Sequence, residues 1–540
     1  MSRAVSLPDQ SEIPGWAGYR EWFRTRWAQG GAGAWVLAFA HLFVGTLLFV
    51  FVSVLPTGGG LLSLVQVLLL GVVGLATLSP PAEPYTAWLL EVWDRSDRGK
   101  VAVVLGNAAL VFFLLSVVIG SGFNAFVGGI QGLLYFAAAY AMITLALNLH
   151  WGYAGVFNIG VAGFMAVGVY AMAVVSSPVN PGTTGTPGMG LPLVVGIVAG
   201  TLAATLVGLV AALPALRLRA DYFAIVTVAF SEIMRYLLIS GRFQTFDVPV
   251  FGTVGTGGAI GKSMPANPLR LLFYENHSST AEPALLGELL FPLFQGLSFT
   301  IVPDGYAMNI GIGTIPIGFT LDFTVQPSVI AGFAQVAVLA VGVVGFYWLL
   351  RRVGNSPFGR VLKAIREDEV VAQSLGKDTN AFKLISFALG CGLMGLGGIL
   401  WFGQQGYVTP NNFRPIITFY IWVALIIGGA SSNTGSVLGA SLFVAALWEG
   451  PRYLKTTLEA VVSFPSAPNN IVQAVLPVLS AEFGPLFSFA LSNVAAFRLI
   501  FIGALLVWLM QRRPEGLLGH RTEEAAAIPL TRPNGGGSDE

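Results

Sequence analysis

The residues able to do chemistry in this 540-residue sequence are few and fall in three places. The first is GTGGAIGKS, Gly255–Ser263, which invites a phosphate-loop reading. Such a loop needs a glycine five residues before its Gly-Lys-Ser, so that backbone N–H groups can cradle phosphate. Thr256 stands there instead, without a strand-to-helix setting, so the segment is not read as a nucleotide site. The second is Glu232 and Arg235, inside the apolar run FAIVTVAFSEIMRYLLI. An ionisable side chain within a membrane is costly and marks a functional candidate. Three residues apart on a helix, the two share a face and can pair. Two readings stand: a self-neutralising pair that fixes one helix against its neighbours, or a gate or path-lining pair. The third is NLHWGYAGVFNIG, which carries Asn148, His150 and Asn158 among many glycines. Small residues let helices approach closely, or leave backbone free to line a cavity. Asn148, Asn158, Thr227, Glu232 and Arg235 form the candidate translocation path. No Ser/His/Asp set exists, and His41, His150, His277 and His520 are scattered, so no catalytic or metal site is expected. The single cysteine, Cys391, excludes an internal disulfide. No cofactor and no nucleic-acid partner is expected.

The elements that position these residues follow from composition. The chain is 55% hydrophobic and 10% charged, where a soluble protein of this size carries about 25% charge. The apolar residues come in long blocks, so the expected fold class is all-α, a polytopic transmembrane helical bundle in a lipid membrane. About twelve spans are expected, near 35–55, 61–79, 101–120, 130–150, 154–176, 192–216, 222–240, 327–350, 384–403, 416–430, 437–450 and 496–512. The pair 416–430 and 437–450 is short for two crossings, which leaves half-helices or a re-entrant pair open. With the N-terminus inside, 20 of the 28 Lys and Arg fall on inner segments and six on outer ones. That bias places both termini in the cytoplasm. Residues 1–34 read as an inner interfacial segment and 521–540 as a disordered tail. The longest outer segment, 241–326, is rich in Gly and Pro, large enough for a small lid, and carries the weak sequon Asn276-His277-Ser278.

The chain is organised around Arg351–Lys383, a cationic stretch between two apolar runs that must lie on the cytoplasmic side. Phe358, Val361, Leu362, Ile365, Ala372 and Leu375 recur at helical spacing, while Arg360, Arg366, Glu367 and Asp368 fall elsewhere. Pro357 suits the first turn of a helix and Gly376 its stop.

That stretch resembles the cytoplasmic loop of permease subunits of branched-chain amino acid ABC importers, the LivM type. The shared pattern is Ser356, Pro357, Gly359, Arg360, Leu362, Ala364, Ile365, Arg366, Glu367, Asp368, Glu369, Ala372, Gly376 and Lys383. Four more stretches agree in order: 146–170, 213–235, 406–413 with 426–440, and RRPEGLLG at 512–519. The resemblance covers about 130–520. It departs after the Glu-bearing span, where Thr256-Gly257-Gly258 is followed by Ala259 and an insertion reaches Gln326.

The resemblance implies a permease domain over 126–520, with the outer insertion 241–326 and a coupling loop 351–383; residues 35–125 are extra and leading spans. It implies two ATP-binding-cassette ATPase subunits, a second homologous permease and an extracytoplasmic solute-binding protein as partners. ATP would be hydrolysed by the ATPases, and this chain would not be an enzyme. Phe358, Leu362, Ile365 and Leu375 would fill an ATPase groove, Arg360, Arg366 and Glu369 would pair at its rim beside Glu367, and Gly376 would turn the chain away. The solute implied is a small polar one, branched-chain amino acids first, with amides or urea as alternatives within the family. The rival class is a secondary transporter that uses Glu232 as an ion site.

Overall fold

A computed structural model describes residues 122–518, apart from 180–184, 216–219, 276–281, parts of 295–324, 404, parts of 450–483 and 513–514. The expectations for 1–34, for the spans before 122, for the sequon and for 521–540 lie outside the described residues.

The described chain is mostly helical, and its long helices fall where apolar length predicts them. They are α1 (Gly122–Asn148), α2 (Val161–Ser176), α3 (Leu193–Ala215), α4 (Ala220–Ile239) and α5 (Pro327–Asn355). Two short helices follow, α6 (Pro357–Glu367) and α7 (Glu369–Ser374), and then α8 (Thr379–Phe402), α9 (Pro415–Gly428), α10 (Asn433–Leu442) and α11 (Val494–Arg512). Among the described residues, five helices are long and apolar enough to cross a membrane by themselves. The count of about twelve spans is not reached within these residues. The two short runs of the sequence, α9 and α10, form a pair bent by 118° at the turn between them.

Two features depart from the expected spans. The run 154–176 is not one helix. A π-turn, Leu149–Tyr153, ends α1, and irregular chain leads to α2 at Val161. The class is also not purely α. The segment after α4 carries β1 (Phe246–Val248), β2 (Gly252–Val254), β3 (Lys262–Ser263), β4 (Ser298–Val302), β5 (Ala307–Asn309), β6 (Thr314–Pro316) and β7 (Phe319–Asp322). These pair antiparallel as β1–β2, β4–β7 and β5–β6, and β3 pairs with β8 (Tyr407–Val408) beyond α8. The Gly- and Pro-rich composition hid them, because strands this short leave no two-residue alternation to read.

The bundle is held by small residues. On α3, Gly196, Gly200, Ala204, Gly208 and Ala212 recur every four residues and face α2 and α8. The opposite side of α3 exposes Val194, Val198, Leu202, Leu206 and Val210. In lipid, burial of apolar area drives little helix association, so close backbone packing replaces it. Beside that seam the fully buried Phe164 of α2 and Phe387 of α8 meet edge to face, with ring centroids 5.7 Å apart.

The rejected phosphate-loop segment has a structural task. Lys262, in β3, is fully buried, and its Nζ donates to the carbonyls of Pro187 at 2.9 Å and Thr186 at 3.2 Å. Ser177 Oγ donates to the Ser263 carbonyl at 2.7 Å, and Tyr407 Oη to that of Ile260 at 2.6 Å. The segment thereby staples the α2–α3 connection to the α8–α9 connection. Burial pushes the Lys262 amine down to about 8. Once the segment detaches, the amine returns to 10.5 and binds a proton more readily. Attachment is therefore weakest below pH 8 and strengthens as pH rises through the window from 8 to 10.5. Amide hydrogen exchange at 254–264, corrected for its intrinsic pH dependence, is expected to show an opening constant smaller by about two orders of magnitude at the alkaline end. Lys262→Met is expected to flatten that dependence; an unchanged slope in the variant would contradict it.

Candidate functional site

Between α5 and α8 the stretch 351–383 holds two short helices rather than one. Ser356 caps α6, its Oγ accepting from Gly359 N at 3.2 Å, and Pro357 fills the first turn. Asp368 then breaks the helix with extended backbone and caps α7, its carboxylate accepting from Val370 N at 2.9 Å and Val371 N at 3.0 Å. Gly376 ends α7 at φ 75°. No atom lies within 4 Å of the place a Cβ would occupy there, so a bulky residue at 376 would strain the backbone without a clash.

The two helices use their apolar residues differently. Leu362 and Ile365 are buried within this chain, and Phe358 stacks on Phe382 of α8 with ring centroids 5.3 Å apart. These three were expected to fill a partner's groove. Leu362 and Ile365 anchor α6 to the bundle instead, because the amphipathic face of a helix lying on helix ends is claimed first by its own chain, while Phe358 stays half-exposed. The free apolar surface belongs to α7: Val370, Val371 and Leu375 are exposed. Val370 and Val371 were not singled out in the sequence, although they stand in the same amphipathic stretch. Arg360 and Glu367 are exposed, and Glu369 is tied to Lys383 at 2.6 Å.

Arg366 was also expected at the rim of that groove, and it turns inward. Its Nη1 donates to the Gly152 carbonyl in the π-turn and to Ser431 Oγ in the α9–α10 turn, and its Nε donates to Glu367 at 3.1 Å. Helix α6 thus meets both breaks in the bundle. Asn148 Oδ1 accepts from Ser431 N at 2.8 Å, and Asn433 Oδ1 accepts from Asn148 Nδ2 at 3.1 Å and from Tyr153 Oη at 2.9 Å. Ser431, Asn433 and Tyr153 escaped the reading of the sequence. The one visible signal for Ser431 and Asn433 was the Ser-Ser-Asn-Thr-Gly run between two short apolar segments, a turn composition.

The irregular chain 154–160 is satisfied by side chains, as backbone at membrane depth must be. Asn158 Oδ1 accepts from Gly160 N at 2.7 Å, Thr227 Oγ1 from Ile159 N at 3.0 Å, and Thr418 Oγ1 from Ala162 N at 3.0 Å. Trp422 Nε1 donates to the Asn158 carbonyl at 2.9 Å. Asn158 Nδ2 donates to His150 Nδ1 at 3.1 Å, which leaves Nε2 protonated to donate to the Phe387 carbonyl at 3.0 Å. The imidazole is neutral in this arrangement and stacks on the Phe387 ring. Asn148, Asn158 and Thr227 therefore hold broken backbone together. Glu232 and Arg235 do pair: Arg235 Nε donates to Glu232 Oε2 at 2.9 Å, and its Nη1 donates to Asn411 Oδ1 at 3.3 Å. They lie apart from the Arg366 cluster, in the part of α4 that meets the 410–413 turn.

Comparison with known proteins agrees with this architecture. Residues 129–510 match the family described as "Branched-chain amino acid transport system / permease component". The chain is 29% identical over 307 residues to the high-affinity branched-chain amino acid transport system permease protein LivM of Escherichia coli, covering 57% of this chain and 60% of that one. It is 27% identical over 394 residues to the LivM protein of Salmonella typhimurium, covering 73% and 68%. A probable LivM permease of Methanocaldococcus jannaschii is 23% identical over 339 residues, covering 58% and 79%. No solved structure matches the chain.

Proposed function

The chain belongs to the branched-chain amino acid transport permease family, and from that premise we propose that it is the membrane-spanning permease of an ATP-driven importer. Its solute is a small polar molecule, branched-chain amino acids first. The observation that carries this reading is the division of labour between α6 and α7, read as the two helices of a lever. One helix is anchored in the bundle, and the next presents Val370, Val371 and Leu375 to the outside. An apolar patch flanked by Arg360, Glu367 and Lys377 suits a groove on a separate motor subunit, in the helix-in-groove manner.

In this reading 351–383 faces the cytoplasm, as do both termini, and two ATP-binding-cassette ATPase subunits dock there. A second, homologous permease completes the membrane unit, and an extracytoplasmic binding protein delivers solute to the opposite face. ATP binding in the motor displaces the lever, and the bundle rocks between outward- and inward-open states. Residues 126–520 form the permease domain, and Glu232 with Arg235 is the pair proposed to meet the solute. Chain from 1 to 125 is additional to that domain.

The test is uptake of labelled leucine by proteoliposomes that hold the permeases and ATPases, with loaded binding protein on the outside. Uptake is expected only with ATP enclosed. Uptake that survives without ATP and disappears when the ion gradient is collapsed would identify a secondary transporter instead.

A further inference from the structure

One guanidinium joins three stretches of chain that are far apart in sequence. Arg366 lies in the last turn of α6, Gly152 in the π-turn that ends α1, and Ser431 in the turn between α9 and α10. Arg366 Nη1 reaches the Gly152 carbonyl and Ser431 Oγ together, and Ser431 Oγ donates to the same carbonyl at 2.9 Å. Two local features serve this contact. Gly155 sits at φ 68°, and a Cβ there would come within 3.0 Å of Arg366 Cγ, so glycine clears the way for the arginine. Ser431 has φ 72° although it is not glycine. A strained backbone that persists at a contact between three distant stretches of chain points to a role for its side chain.

Leu362, Ile365 and the Phe358–Phe382 stack attach α6 by apolar contact. Apolar contacts are non-directional, so such surfaces can slide. A charge-assisted hydrogen bond fixes direction as well as distance.

We propose that Arg366 is the transmission residue of the lever, a positioning residue that carries the displacement of α6 into both broken segments of the bundle and does not contact the ATPase. The proposal rests on the importer reading and deepens it. When the lever moves, the π-turn and the α9–α10 turn move with it.

The experiment uses the full complex in proteoliposomes and reads three quantities: ATPase subunits retained, thermal midpoint, and solute transported per ATP hydrolysed. Arg366→Gln is expected to keep the first two and to lower transport per ATP at least tenfold. Arg366→Lys keeps the charge, but its ammonium ends one bond short of the Nη1 position, and it is expected to fall between. Ser431→Gly relieves the positive φ, so folding is safe, and removes one acceptor; transport per ATP is expected to drop several-fold. A normal ratio in Arg366→Gln and Ser431→Gly would overturn the proposal. Loss of ATPase subunits or of thermal stability with an unchanged ratio in the remaining complex would also overturn it, making Arg366 a docking or folding residue. If the wild-type complex shows no ATP-driven uptake, the importer reading itself fails and takes the proposal with it.

Discussion

Replacement of both Val370 and Leu375 by aspartate is expected to strip the ATPase subunits from the complex and abolish uptake, with the permease still inserted in the membrane. Val370 is 74% exposed, Val371 53% and Leu375 72%. They contribute little to the fold of this chain, so their loss leaves it intact. In a partner's groove the two carboxylates would lie in a desolvated apolar contact without partners. Removing a charge from water costs several kcal/mol even after relaxation. Two such penalties exceed what a small helical contact supplies, so association is expected to fall by more than 100-fold. Affinity purification through a tag on the permease checks it. Leu362→Ala provides the contrast. That side chain is fully buried in its own bundle, so truncation should cost about 2–5 kcal/mol of stability and lower the amount of folded protein while any that folds still binds ATPase. Unchanged ATPase retention in the aspartate variant would remove the docking surface from α7.

The second large effect is expected at Gly168. A Cβ on this residue would lie 2.6 Å from Gly395 Cα and 2.9 Å from the Gly395 carbonyl oxygen, so α2 and α8 meet backbone to backbone. Gly200 of α3 closes on the Gly168 carbonyl from a third side. Overpacking a core costs about 1–3 kcal/mol when side chains can yield. Here the obstacle is main chain, so whole helices must separate, and Gly168→Val should prevent assembly of the bundle. The expected result is loss of monodisperse protein after detergent extraction. Gly345→Val on α5 is the control, because nothing lies within 4 Å of its Cβ position. Equal yields from the two variants would show that the seam tolerates separation.

The sequence was most informative where one physical requirement dominates. Hydrocarbon demands long apolar helices, so each of the runs 130–150, 192–216, 222–240, 327–350 and 384–403 falls on a long helix, although α1 starts well before its run, at Gly122. The same demand made Glu232 and Arg235 conspicuous, and their pairing on one helix face follows from a spacing of three. The break at 149–160 was announced by glycines and asparagines without being located, since those residues serve a close helix crossing as well as an unwound one. The strands after α4 were too short to leave a period.

What the chain determined alone is which stretches enter lipid and which stretch between them is cationic and amphipathic, because transfer from water acts on each segment independently of the others. What tertiary structure decided is the use made of those residues. Leu362 and Ile365 turn to their own bundle and Val370, Val371 and Leu375 away from it, and Arg366 reaches Gly152 and Ser431 where a partner's rim was expected. An amphipathic pattern names a face but not what covers it, and an arginine's partners are set by which distant carbonyls the fold brings within its reach.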